Sequence, residues 1–202
     1  MSAVFPVLLD LTDRRTVVIG GGAVGARKVS ALLAVGAAVC VVDPRGALTL
    51  PPEVVHIGEA YRAEHLEGAA VAFACATPEV NAQVVVDAKK RGVWVNAASS
   101  PHEGDFTLPA VVRRGEFTLA VNTGGASPAL ARRVRERLEA EYDAAFGEWV
   151  RVLAELRAEV LARVPDEARR RELLDGFADW SWLERLRTEG VGPVREAMLA
   201  RL

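Results

Sequence analysis

Thr16-Val-Val-Ile-Gly-Gly-Gly-Ala-Val-Gly-Ala-Arg-Lys28 decides how this chain is read. A short apolar run ends in Gly20, Gly21 and Gly22, and Gly25 follows within one turn. Gly20, Gly22 and Gly25 have the spacing G-x-G-x-x-G, directly after a predicted strand and at the mouth of a predicted helix. Each glycine has its own physical task in such a loop. Gly20 permits the sharp turn, Gly22 lets the backbone approach a pyrophosphate, and Gly25 lets the helix pack closely on the strand. The free N–H groups at the helix start, around Ala23 and Val24, and the positive end of the helix dipole then favour phosphate.

The residues downstream fall in register with this. Residues 37–42 read as a second buried strand that ends at Asp43. A carboxylate about 20 residues past the glycines can accept hydrogen bonds from an adenosine ribose and would repel a 2′-phosphate, so NAD is expected over NADP. Pro44 and Arg45 complete this expected cofactor edge, and the Arg45 charge would weaken the preference by neutralising a phosphate.

Further strands are predicted over 54–57, 69–76 and 93–98, helices over 23–35 and 78–91, and a Pro- and Gly-rich loop over 44–52. This alternation is that of an α/β, doubly wound, Rossmann-like parallel sheet, whose ligands bind outside the carboxyl ends of the strands. That rim would hold the glycine loop, Asp43, Thr77 and the loop over 97–105. Thr77 is expected either to touch the cofactor or to cap the helix that opens at Pro78.

Beyond this the pattern changes. Residues 105–112 and 116–122 are β-rich runs around Arg113-Arg114-Gly115 and read as a hairpin. A second glycine loop, Thr123-Gly-Gly-Ala-Ser-Pro128, leads into a helix with Ser127 as its cap, expected to run to Trp149 or beyond. A hairpin and one helix are too small to bury their own faces, so packing on the first domain or on a second copy of the chain is expected. The rest reads as helix, broken at Pro165-Asp166 and at Gly190-Val-Gly-Pro193, with Trp149, Phe177, Trp180 and Trp182 as its packing groups. The expected divisions are 1–112, 113–147 and 148–202.

Composition narrows the function. The chain has 202 residues, half of them hydrophobic, and a net charge of −2, which gives no general argument for nucleic acid. Its two cysteines, Cys40 and Cys75, fall inside predicted strands without metal-ligand or disulfide spacing. No leader is evident and no run approaches the ~18 apolar residues of a membrane span, so a soluble cytoplasmic protein without a membrane partner is expected. Arg113, Arg114, Arg132 and Arg133 flank the second glycine loop, where an anionic substrate would suit them. The cluster at Arg169, Arg170 and Arg171 reads as a solvated helix face.

Five elements together resemble the precorrin-2 dehydrogenase family, also known as the siroheme synthase N-terminal module. They are the opening Phe5-Pro-Val-Leu-Leu-Asp-Leu11, the first glycine loop, Ala76-Thr-Pro-Glu-Val-Asn81, Val95-Asn-Ala-Ala98 with Asp105-Phe-Thr-Leu-Pro109, and Asn122-Thr-Gly-Gly-Ala-Ser-Pro-Ala-Leu-Ala-Arg132. The resemblance runs from about Pro6 to Leu138. It implies NAD-dependent oxidation of precorrin-2 to sirohydrochlorin, for siroheme or cobalamin, by a homodimer with a small helical domain. Some members also insert ferrous iron.

The resemblance also implies roles for particular residues. Asn122, Ser127, Arg113 and Arg132 would bind the carboxylates of the tetrapyrrole substrate. The family usually has an aspartate, the expected general base, directly after the strand ending Val-Asn-x-x. Here that position is Ser99, and a neutral serine is a poor base near pH 7. Asp105, or the pair His102 and Glu103, is the expected substitute for proton removal, and these groups are also the candidates to touch iron. The rival expectations are a bifunctional dehydrogenase and ferrochelatase, and a non-catalytic NAD- or tetrapyrrole-binding homologue.

Overall fold

The computed structural model describes residues 4–45 and 49–202. Its chain divides into one compact unit ending at Leu108 and a second of Pro109–Leu202. In the first unit a parallel five-stranded sheet has the order β3-β2-β1-β4-β5, formed by β1 (Arg15–Ile19), β2 (Ala38–Val42), β3 (Val55–Ile57), β4 (Val71–Ala74) and β5 (Trp94–Ala97). Helix α1 (Ala23–Leu33) joins β1 to β2, and α2 (Pro78–Arg91) joins β4 to β5.

The central strands β1, β2 and β4 are mostly apolar and buried because both faces of the sheet are covered. The two-residue period of a strand sorts the side chains. Val17, Ile19, Cys40, Val42, Ala72 and Ala74 pack with Val84, Val85 and Ala88 of α2. Val18, Val39, Val41, Val71 and Phe73 pack with Val29 and Leu32 of α1. The chain order reverses between β1 and β4, so a crevice opens at the carboxyl ends of those two strands. Cys40 is buried and Cys75 partly buried, and both are free thiols.

The second unit begins with the antiparallel pair β6 (Ala110–Arg114) and β7 (Phe117–Val121), followed by α3 (Pro128–Glu141), α4 (Ala144–Arg163), α5 (Glu167–Phe177), α6 (Trp180–Glu189) and α7 (Val191–Leu199). Its core joins Trp149, Val152, Leu156, Phe177, Leu183 and Met198. The aromatic groups expected to pack this region do so, although Trp180 keeps 53% of its surface exposed.

Several expectations change here. The hairpin does not wait for another partner: Phe117 of β7 packs against Phe146 of α4, with ring centroids 4.5 Å apart. Gly147 makes this possible, since a Cβ there would lie 2.9 Å from Arg114 Cβ. The division of the chain therefore falls before β6, because a boundary at 112 would cut β6 out of its pairing with β7. Residues 105–109 are not strand. Pro109 has no N–H to give a ladder, and Asp105 is tied to β5 instead. The helix expected from Pro128 to Trp149 breaks at Tyr142, where Asp143 caps α4 by accepting from Phe146 N–H at 3.1 Å. Pro193 lies inside the first turn of α7 and does not break it.

Candidate active site

The glycine loop has the shape its sequence calls for. Gly20 has φ +99°, and a Cβ there would lie 2.6 Å from the Cys75 carbonyl oxygen. A Cβ on Gly25 would lie 1.9 Å from the Gly20 oxygen. These two residues must therefore be glycine for the loop to close on β4 and on α1. Gly22 is different: a Cβ there would meet nothing closer than Arg45 Nη2 at 3.8 Å. The space above Gly22 leaves room for a group the size of a phosphate. Gly22 is the cap residue of α1 and offers no side chain to the helix start, which leaves the first N–H groups, those of Ala23 and Val24 among them, for an anion.

Asp43 stands at the end of β2, 4% exposed. Its Oδ2 accepts from Gly21 N–H at 2.6 Å, and its Oδ1 accepts from the Arg45 backbone N–H at 2.9 Å. Arg45 also grips it through its side chain, Nε to Oδ1 at 2.9 Å and Nη2 to Oδ2 at 2.6 Å. The Arg45 side chain, followed by the backbone N–H groups of Arg45 and Gly21, holds the Asp43 carboxyl far below the usual carboxylate range. His56 Nε2 meets the Asp43 carbonyl oxygen at 3.1 Å. Pro44 is exposed beside this cluster. Thr77 takes its capping role, its Oγ1 accepting from Val80 N–H at 3.5 Å.

A further residue on this rim was given no role by the sequence. Asn81, in the first turn of α2, is 3% exposed. Its Oδ1 accepts from Ala76 N–H at 2.9 Å, and its Nδ2 donates to the Ala76 carbonyl at 3.3 Å and to Ser99 Oγ at 3.0 Å. Because Ala76 N–H must meet an oxygen, the amide nitrogen is the atom facing Ser99. Asn81 thus ties the end of β4 to the end of β5 and makes Ser99 accept, leaving the Ser99 hydroxyl proton free to be donated outward. The only sequence signal for this was that Asn81 closes the Ala76–Asn81 stretch.

Asp105 is not on the rim. After Ser99 the chain folds back along β5, where Asp105 N–H donates to the Val95 carbonyl at 2.8 Å and Asp105 Oδ2 accepts from Val95 N–H at 2.9 Å. Val95 lies two residues, about 7 Å at ~3.3 Å per residue, below the carboxyl end of the strand. Asp105, the residue expected to remove the substrate proton, thus satisfies an edge-strand N–H through Oδ2. His102 and Glu103 are only loosely paired, at 3.9 Å. Among the described residues, no three His, Cys, Asp or Glu side chains converge as metal ligands.

In the second unit the substrate candidates make local contacts, Asn122, Arg113 and Arg132 being exposed and Ser127 half-buried. Ser127 Oγ accepts from Leu130 N–H at 3.1 Å and so caps α3. Asn122 Oδ1 accepts from Gly124 N–H at 2.8 Å and shapes the second glycine loop. Arg113 points from β6 without an ion-pair partner among the described residues, and Arg132 is loosely paired with Glu136 at 3.8 Å. Arg114, by contrast, is structural, donating from Nη2 to the Glu139 carbonyl at 3.0 Å.

Comparison with known proteins agrees with this geometry. The family described as "Putative NAD(P)-binding" matches residues 7–110, and "Sirohaem biosynthesis protein central" matches residues 114–141. The siroheme synthase of Nitrosomonas eutropha is 36% identical over 174 residues, covering 83% of this chain and 37% of that protein. Siroheme synthase 1 of Halorhodospira halophila is 35% identical over 210 residues, covering 98% of this chain and 42% of that protein. The chain thus spans less than half the length of these curated relatives. The solved structure of SirC, precorrin-2 dehydrogenase, superposes with a TM-score of 0.82 at 27% identity and covers 98% of both chains. With the glycine cradle, Asp43 and the Asn122–Arg132 loop in place, the chain belongs to the family of precorrin-2 dehydrogenases and siroheme synthase N-terminal modules.

Proposed function

We propose that this protein oxidises precorrin-2 to sirohydrochlorin with NAD. The observation that carries the proposal is a glycine cradle with open space above Gly22, in a chain that matches SirC, precorrin-2 dehydrogenase, along nearly its whole length. NAD supplies a hydride acceptor: the macrocycle loses one hydrogen as hydride to NAD and a second as a proton to water. The residues of the chain bind and orient. The N–H groups at the start of α1 hold the pyrophosphate, and Asp43 with Arg45 marks the adenosine end. Ser99, fixed by Asn81, donates its hydroxyl proton toward the substrate or an ordered water. Asn122, Ser127, Arg113 and Arg132 meet the substrate carboxylates.

With serine at position 99 and no converging carboxylates among the described residues, dehydrogenation is the proposed activity and iron insertion is not. Purified protein with precorrin-2 and NAD is expected to generate NADH absorbance, and added ferrous iron is expected to yield no siroheme. Formation of siroheme would establish the bifunctional reading, and formation of neither product would establish a non-catalytic binder. Ser127→Ala is expected to weaken substrate use more than NAD binding, and the reverse order would remove Ser127 from the substrate site.

The same reading includes a homodimer. Leu130 and Val134 on α3 are 53% and 36% exposed, and Phe5 and Leu8 near the start of the chain are 88% and 83% exposed. Apolar surface of this kind suits a second copy of the chain. Sedimentation of the full chain is expected to give twice the monomer mass. A monomer at micromolar concentration would refute the dimer without touching the cofactor proposal.

A further inference from the structure

Arg45 presents two edges, and Asp43 uses only one. The inner edge, Nε and Nη2, binds the two carboxylate oxygens in parallel. With the Gly21 and Arg45 backbone N–H groups, this fills the roughly four lone-pair sites of a carboxylate. Asp43 therefore has no lone pair left for a ribose hydroxyl. The outer edge carries Nη1 and the second Nη2 proton. Nη1 has no partner among the described residues, and the Arg45 side chain is 61% exposed against 5% for Asp43. Nη2 also stands 3.8 Å from the position of a Cβ on Gly22, at the mouth of the glycine loop.

We propose that Arg45, held in place by Asp43, reads the adenosine ribose of the dinucleotide, and that its outer edge donates to a 2′-phosphate, so that the protein binds NADP as well as NAD. The proposal rests on the reading of the glycine loop as a dinucleotide site and extends it. An aspartate at the end of the second strand favours NAD when its charge faces the ribose. Here the guanidinium neutralises that charge and fills its lone pairs. A planar guanidinium has enough donors to serve a carboxylate on one edge and a phosphate on the other. The Asp43 contact also holds the long side chain in one geometry before any ligand arrives, which lowers the entropy lost on binding.

The test is calorimetric titration of the full chain with oxidised NAD and, separately, oxidised NADP. Wild type is expected to bind both, with the NADP affinity falling more steeply as salt rises. Arg45→Ala and Arg45→Gln are each expected to lower the NADP affinity about tenfold or more relative to NAD. Arg45 is exposed, so both variants are expected to fold. An NADP to NAD ratio unchanged in both variants overturns the proposal, as does wild-type binding of NAD without measurable binding of NADP. Failure of wild type to bind either dinucleotide overturns the cofactor reading together with it, an outcome distinct from loss of NADP alone.

Discussion

Single residues carry the cofactor end of the site, and they separate steric from electrostatic demands. Gly25→Ala would force a Cβ to within 1.9 Å of a backbone oxygen that has nowhere to move. It is expected to cost about 2–4 kcal/mol and to be visible as a large drop in Tm. Gly22→Ala meets open space, so its stability is expected to stay within about 0.5 kcal/mol of wild type while dinucleotide affinity falls. Thermal melts beside titrations would distinguish the two. Asp43 adds a pH dependence. Its folded carboxyl lies below the unfolded value, chiefly through the Arg45 side chain. The stability it supplies is therefore full above about pH 4 and is lost as pH falls through the folded value. Asp43→Asn is expected to lower Tm near neutrality, with the gap to wild type closing on acidification. A gap independent of pH would show that the Asp43 charge has no part in stability.

At the scale of elements, the question is how helix starts and strand ends are tied together. Thr77, Ser127, Asp143 and Asp166 each accept an N–H in the first turn of their own helix. Thr77 and Ser127 were legible as caps because each stands directly before a proline that opens a helix, whereas Asp166 was legible only as part of a break. Asp143 was not, since the apolar pattern continues across it and only the cap geometry breaks the helix. Asn81 was equally hidden. A lone asparagine in a helix says nothing of Ser99, which reaches it only because β4 and β5 pair in parallel and end side by side. Asn81→Asp keeps an oxygen toward Ala76 N–H but replaces the donor that faces Ser99 with an acceptor, which would turn the Ser99 hydroxyl inward. Turnover is expected to drop about tenfold with dinucleotide affinity nearly unchanged. Equal loss of both would mean that Asn81 only braces the loop.

On the scale of the whole molecule, each unit keeps its own core. The residues packed between the sheet and its helices belong to the first unit, while the cluster around Trp149, Leu156 and Leu183 belongs to the second. Leu183→Ala is expected to destabilise the second unit by about 2–5 kcal/mol and leave NAD affinity unchanged, with hydrogen exchange rising in α4, α6 and α7. Exchange rising equally in β1 and β4 would show one cooperative core instead. The sequence by itself determined the parallel sheet, the glycine loop, Asp43 and the family, because these depend on local periodicity and on glycines that sterics make obligatory. Only the tertiary structure decided that Arg45 covers Asp43, that Asn81 holds Ser99, and that Asp105 serves the edge of β5. Those pairings depend on where the chain returns in space, and no local pattern encodes the direction in which a loop folds back.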